Sequence, residues 1–208
     1  MTDDYDLGYA AQYRFYQFLY ILLFRIRAWG AEHVPARGGV ILAANHQSFL
    51  DPPAAGLALT RQLYFLARSS LFCGPLLAAW YRLQHAIPIA RGTSDLAAIR
   101  LAVDVLRKGH GLVLFPEGTR SPDGSVRAFQ PGFAVIAARA RVPIVPVAID
   151  GGFRAWPRRQ KLPSWGSIRV AYGEPVPPPE SGKDAAVAVA AEVRRRVVAL
   201  LERLRHTD

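Results

Sequence analysis

Five short apolar runs set the limits on how this chain can fold. Val40 to Ala44, Leu63 to Leu66, Leu112 to Phe115 and Ile144 to Ile149 show no polar alternation, and only Ile168 to Tyr172 alternates. Runs of this length without alternation are the mark of strands covered on both faces. The segments between them have helical spacing. Ser94 to Lys108 has Ser94 as an N-cap, Asp95 in the first turn, Ile99, Val103 and Leu106 on one face, and Gly109 as a stop. Pro131 to Ala140 and Asp184 to His206 follow the same pattern. Strands alternating with helices predict an α/β domain with a mixed, mostly parallel central sheet flanked by helices. At 208 residues and 51% hydrophobic content, one domain with a sizeable core accommodates the chain.

The N-terminal segment has a different character. Tyr9 to Trp29 reads as one helix without Gly or Pro, carrying eight aromatic residues (Tyr9, Tyr13, Phe15, Tyr16, Phe18, Tyr20, Phe24, Trp29) and flanked by Arg14, Arg25 and Arg27. Aromatic rings and long cations settle at the headgroup level of a bilayer, so residues 1–29 are expected to form an interfacial helix ahead of a domain over 30–208; an ordinary core helix is the alternative. The strongest apolar run, Phe15 to Phe24, is shorter than the ~20 residues a bilayer span needs. Asp3, Asp4 and Asp6 stand where a secretion signal would be basic, so the segment is expected to be retained.

Charge narrows the partners. Twenty-six Lys and Arg against 16 Asp and Glu give a formal +10, which favours an anionic partner: nucleic acid, a phospholipid surface or a phosphorylated substrate. The aromatic residues cluster in one helix instead of interleaving with basic ones as base-stacking platforms would, so no nucleic acid partner is expected. The single cysteine, Cys73, forms no internal disulfide, lacks partners for a zinc site, and reads as an inert thiol in an apolar context.

Two polar stretches follow buried strands. In "AANHQSFLDPP", His46 and Asp51 are five residues apart. On a continuous helix that spacing turns the side chains about 140° apart, so they meet only if His46 lies before the helix and Asp51 in its first turn. The strand ending at Ala44 and the cap-type residues Asn45 and Ser48 place His46 in such a strand-to-helix turn. A carboxylate there fixes the imidazole tautomer and leaves the other nitrogen as a base. No G-x-S-x-G elbow supplies a nucleophile, so the attacking hydroxyl is expected from the substrate. The second stretch, Phe115 to Gly132, is a long Gly- and Pro-containing loop with Glu117, Arg120 and Arg127, of a length that is usually functional in a compact domain. Val176 to Lys183 reads as a solvated linker.

Four motifs in order, "NHQSFLD" (Asn45 to Asp51), "IPIAR" (Ile87 to Arg91), "FPEGTRS" (Phe115 to Ser121) and "VPIVPVAI" (Val142 to Ile149), resemble those of the glycerolipid acyltransferases, whose best-known members act on lysophosphatidic acid. The resemblance covers about residues 30 to 180. It implies that His46 is the general base and Asp51 its orienting partner, and that Arg91, Glu117, Gly118, Thr119 and Arg120 form the acceptor's glycerol-phosphate site. It also implies that Pro143 and Pro146 belong to a buried edge strand shaping an acyl pocket. The sequence departs from the family's usual pattern at Gln130, where Lys is common, and at His85 and Ala86, where a Gly is usual; both departures bear on the acceptor.

The expected reaction moves a fatty acyl chain from a thioester, acyl-CoA or acyl carrier protein, to the free hydroxyl of lysophosphatidic acid, giving phosphatidic acid. The thioester is already activated, so no metal or resident cofactor is expected. Membrane lipids and a lysophospholipid acceptor are the expected partners, at the cytoplasmic face of the inner (plasma) membrane, with the protein peripheral or monotopic. Alternatives are the same chemistry on glycerol-3-phosphate, another lysophospholipid or a lyso-aminolipid, and a non-catalytic binder of anionic lipid or nucleic acid. His33, His85, His110 and His206 read as ordinary residues, and "RRR" at Arg194 to Arg196 as a solvated helix face.

Overall fold

A strand buried on both faces organises the molecule. The computed structural model describes residues 7–89, 96–180 and 182–206. Ser94, Asp95 and Arg91 lie outside the described residues. In β2 (Val40–Ala44) every residue is fully buried. Ile41 and Ala43 join one apolar cluster, while Val40, Leu42 and Ala44 join the other. A strand whose two faces both enter a core shows no polar alternation, which is the pattern read from its sequence.

The other strands are β1 (Arg27–Trp29), β3 (Leu63–Arg68), β4 (Ala86–Ile89), β5 (Gly111–Leu114), β6 (Ile144–Asp150) and β7 (Arg169–Tyr172). They form one seven-stranded sheet in the order β1-β7-β6-β2-β5-β3-β4, parallel except for the β6–β7 pair. The helices are α1 (Leu7–Phe24), α2 (Asp51–Ala54), α3 (Pro75–Leu83), α4 (Leu96–Arg107), α5 (Gly132–Ala140), α6 (Gly152–Ala155) and α7 (Lys183–His206). Buried residues of α4, α5 and α7 fill the cluster on one face of the sheet. Tyr20 and Phe24 of α1 and Ala54 of α2 belong to the cluster on the other.

Three elements differ from the sequence reading. First, the N-terminal helix stops at Phe24 instead of continuing to Trp29. Arg25 takes a left-handed conformation (φ 42°), and Arg27 N–H donates to the Ile168 carbonyl at 3.0 Å, opening β1 beside β7. The stop was hidden because an arginine occupies the position where glycine is the usual signal. Second, β1 is exposed along its length and β4 contains Pro88; neither has the apolar run of a central strand, and both are edge strands, where a proline is tolerated. Third, β6 is an inner strand, not an edge. Pro146 is accommodated because β7 ends at Tyr172, and the next pair makes one bond, from Gly173 N–H to the Pro146 carbonyl at 2.9 Å. The proline therefore forfeits a bond at the end of that ladder and not in its middle.

Parallel pairing of β2 with β5 and β6 brings the carboxyl ends of all three strands to one edge of the sheet. His46, the Phe115 to Gly132 loop and Asp150 all follow those ends, where open α/β sheets place their ligands. The same packing yields a stability prediction. Leu42→Ala, at a fully buried position, should cost about 2–5 kcal/mol. Leu76→Ala, at a side chain 87% exposed, should be nearly neutral. Urea unfolding of both variants checks the contrast, and equal midpoints would contradict the assignment of β2 to the core.

Candidate active site

The turn after β2 is fixed before its chemistry begins. Asn45 clips β2 to β6 with two hydrogen bonds: its side-chain amide donates to the Ile149 carbonyl at 2.9 Å, and Ile149 N–H donates to Asn45 Oδ1 at 2.8 Å. Residues 46–48 are non-helical, and α2 begins at Asp51, followed by Pro52 and Pro53. Proline suits the first turn of a helix, where its missing N–H is not needed. His46 thus lies ahead of the helix and Asp51 opens it, the arrangement that lets a five-residue spacing bring the two together.

They meet at 2.9 Å between His46 Nδ1 and Asp51 Oδ2. The same oxygen accepts the backbone N–H groups of Gln47 at 2.5 Å and Ser48 at 2.6 Å. Asp51 is fully buried, and the His46 side chain is 18% exposed. The carboxylate therefore holds the turn and the imidazole through one atom. With Nδ1–H donating to Asp51, His46 Nε2 is left as an acceptor. The ring is set by stacking on Phe115, centroids 4.1 Å apart at 24°.

The loop after β5 clasps the main chain of His46. His46 N–H donates to Glu117 Oε1 at 2.9 Å, and its carbonyl accepts Ser121 N–H at 2.7 Å. Arg127 N–H donates to the other Glu117 oxygen at 3.2 Å. Burial raises the Glu117 pKa from its ordinary value, opposed by those two N–H donors and by the nearby imidazole. Glu117 accordingly braces the loop against the turn. Gly118 holds φ 70°, and a Cβ there would meet the Gln130 amide at 3.2 Å. The position called unusual in the sequence thus borders the loop tip directly. Thr119 is half-buried beside it, and the Arg120 guanidinium carbon lies 3.5 Å from the Phe49 ring centroid, a cation–π contact.

Sequence reasoning did not single out several residues that complete the site. Ser48 Oγ donates to the Trp156 carbonyl at 2.8 Å and accepts Leu50 N–H at 3.1 Å, and Phe49 packs on the Trp156 ring at 5.2 Å. Gln47 is almost fully buried and donates to the Gly124 carbonyl at 3.0 Å. Tyr20, from α1, donates to the Leu50 carbonyl at 3.1 Å. Burial, and then the charge of Asp51, push its phenol pKa well above the ordinary value. Gly152 backs Asp51 so closely that a Cβ would lie 2.7 Å from Asp51 Oδ1. These contacts come from distant elements and leave no local pattern.

Other side chains are structural. His33 Nδ1 lies 2.9 Å from the Tyr172 carbonyl, His85 is 2.8 Å from the Gln62 amide, and the His110 ring meets Tyr64 at a tilt, centroids 5.1 Å apart. Arg195 and Arg196 bond Glu192 at 2.8 and 2.7 Å, whereas Arg194 bonds the carbonyls of Arg127 and Val126, so it ties α7 to the loop instead of forming a purely solvated face. Cys73 is exposed, contrary to the expected apolar setting.

Comparison with known proteins bears on the family and the fold. The profile of a family described as Acyltransferase matches residues 25–150. A chloroplast 1-acyl-sn-glycerol-3-phosphate acyltransferase of Arabidopsis thaliana is 28% identical over 157 residues, 74% of this chain and 44% of the plant protein. A 1-acyl-sn-glycerol-3-phosphate acyltransferase of Bacillus subtilis is 25% identical over 152 residues, 73% of each chain. The match therefore spans less than half of the plant relative's length. The crystal structure of the 1-acyl-sn-glycerophosphate acyltransferase PlsC of Thermotoga maritima superposes with a TM-score of 0.80 at 26% identity, covering 100% of this chain and 86% of that one.

The closeness of Gly152 to Asp51 gives a test of the site's tolerance. Gly152→Ala should lower stability by about 1–3 kcal/mol through overpacking. It should also displace the carboxylate from His46. Thermal unfolding and the NMR resonance of the His46 Nδ1 proton report the two effects; an unchanged resonance would show that the carboxylate has slack.

Proposed function

We propose that this chain, which belongs to the acyltransferase family, transfers a fatty acyl group from a thioester donor to the free hydroxyl of lysophosphatidic acid, giving phosphatidic acid in phospholipid biosynthesis. The observation that carries the reading is the 2.9 Å contact between a fully buried Asp51 and a His46 that retains solvent access. His46 Nε2 takes the proton of the acceptor hydroxyl as its oxygen attacks the thioester carbonyl. The tetrahedral intermediate collapses with cleavage of the C–S bond, and the imidazolium returns the proton to the departing thiolate. Asp51 fixes the tautomer and stabilises the imidazolium. Acyl-CoA and acyl carrier protein are both chemically competent donors, and nothing in this scheme calls on a metal or resident cofactor.

The Gly118 to Arg120 tip is assigned to the acceptor phosphate. Arg120, supported on Phe49, supplies a guanidinium suited to bidentate phosphate binding, and Arg91 joins it by the resemblance. Glu117 serves that site indirectly, by holding the loop. Gln130 at the loop tip favours one second reading, the same chemistry on a different lysolipid or glycerol-3-phosphate.

Both lysolipid and product partition into bilayers, so a site away from the membrane would have to extract them at ~0.8 kcal/mol per buried CH₂. The outer face of α1 supports membrane residence, on the cytoplasmic side. Phe15, Phe18, Ile21 and Leu22 are 57–64% exposed along one face, edged by exposed Arg14 and Arg25. The inner face is fastened to the domain: Tyr13 donates to the Leu57 carbonyl at 2.8 Å, and Gln17 donates to the same carbonyl at 2.7 Å. Among the described residues no helix is long and apolar enough to cross a membrane.

Purified protein incubated with a panel of lysophospholipids and both thioester donors, with products identified by mass, tests the assignment; no acylated lysolipid from either donor would refute it. His46→Ala should lose about 10²- to 10⁴-fold in turnover with its circular dichroism unchanged. A folded variant at wild-type turnover would remove the general base from the mechanism.

Because the inner face of α1 is part of the core, its membrane role is tested at the outer face alone. A variant with Phe15, Phe18, Ile21 and Leu22 all changed to Ser should leave anionic vesicles and lose activity on bilayer-embedded acceptor, while retaining it on a short-chain soluble analogue. Unchanged sedimentation with vesicles would assign the face to something other than lipid.

A further inference from the structure

The segment between α6 and β7 plays no part in the proposed chemistry, yet it is not built as a simple connector. From Gly151 to Gly173 the chain carries Arg154, Arg158, Arg159, Lys161 and Arg169 and no carboxylate. Arg158, Arg159 and Lys161 are exposed, and Leu162 and Trp165 are 75% and 77% exposed. The turn that displays them is internally braced. Trp156 Nε1 donates to the Gln160 carbonyl at 3.1 Å, the Gln160 amide donates to the Leu162 carbonyl at 2.6 Å, and Ser164 N–H donates to the Ala155 carbonyl at 2.7 Å. A tryptophan and a leucine held outward among three cations have the composition of an interfacial anchor, in which the rings enter the headgroup layer and the cations meet lipid phosphate.

The loop is joined to α1 both through the turn that carries His46 and at the end of the helix. Phe49, itself 49% exposed, packs on Trp156 at the root of the loop. Its neighbour Leu50 accepts a hydrogen bond from Tyr20 of α1. Ile168, at the far end of the loop, donates to the Phe24 carbonyl at the end of α1, at 2.9 Å. Exposed apolar side chains on α1, on the catalytic turn and on the loop therefore sit on elements in direct contact with one another.

We infer that the 156–168 loop is a second membrane-docking element, specific for anionic phospholipid. Together with α1 it seats the catalytic turn on the bilayer, so that His46 faces lipid-borne substrate at two points of attachment instead of pivoting about one. The inference rests on the proposed membrane residence of α1 for its geometry, but it is carried by different residues and fails separately.

The experiment uses the full chain and unilamellar vesicles of phosphatidylcholine, with or without phosphatidylglycerol. Arg158, Arg159 and Lys161 all changed to Gln should weaken binding to anionic vesicles on the order of 100-fold, at about fivefold per cation, with little change on neutral ones. In a second measurement, brominated lipid should quench the emission contributed by Trp165, taken as the difference between wild type and Trp165→Phe. These positions are exposed, and circular dichroism checks that each variant is folded. Wild-type vesicle binding by the triple variant with no quenching of Trp165 would overturn the inference; if the α1 outer-face variant still detaches, the residence of α1 stands without it. Loss of anionic binding in the triple variant, with the α1 variant unaffected, would support the loop and overturn the role of α1. A triple variant that binds vesicles normally but loses affinity for single-stranded DNA would overturn the lipid assignment in favour of nucleic acid.

Discussion

One oxygen, Asp51 Oδ2, is the point on which the site depends. It accepts from the His46 imidazole and from the main chain at Gln47 and Ser48, so the carboxylate that holds the imidazole also shapes the turn carrying it. Charge-assisted bonds of this kind are roughly twice as strong as neutral ones, and in a fully buried setting any donor left unmatched would be costly. The surrounding structure is arranged to keep that oxygen in place. Asn45 fixes the entry to the turn, Pro52 and Pro53 start the helix that presents the carboxylate, Glu117 takes the His46 N–H, and Gly152 leaves room behind. The imidazole and the turn that carries it are therefore held by the same parts, and the turn has little freedom to drift.

The sheet explains why these parts can converge. β2 lies centrally with β5 and β6 as parallel neighbours, so three strand ends deliver three loops to one place. β5 contributes the clasping loop, β6 leads to Gly152 behind Asp51, and β2 contributes the turn itself. The antiparallel return of β7 brings the basic loop to the same edge, where the end of α1 receives it.

Much of this could be read in the sequence where the signal was local. The fully buried strands β2, β5 and β6 appeared as uninterrupted apolar runs because both of their faces enter a core. The His46–Asp51 contact followed from spacing, although the expected caps do not cap: Leu50 is the N-cap of α2, and Asn45 bonds β6 instead. What could not be read was set by distant partners. β1 has no apolar run and is a strand only because β7 pairs with it, while α1 stops at an arginine instead of a glycine. The roles of Gly152 and Trp156 depend on contacts about a hundred residues away. The N-terminal helix admitted two readings, core or interface, because its apolar residues run all the way round. The structure divides the helix by face: Tyr20 and Phe24 are core, whereas Phe15, Phe18, Ile21 and Leu22 are exposed.

The left-handed Arg25 at the end of α1 has a further meaning. For an L-residue with a side chain, that conformation costs roughly 1 kcal/mol or more, and glycine would adopt it freely. Glycine would also remove an exposed cation from the seam between helix and strand, beside the face assigned to lipid. The position exchanges fold stability for surface charge. A glycine at 25 would make the better helix stop and leave the seam one positive charge poorer.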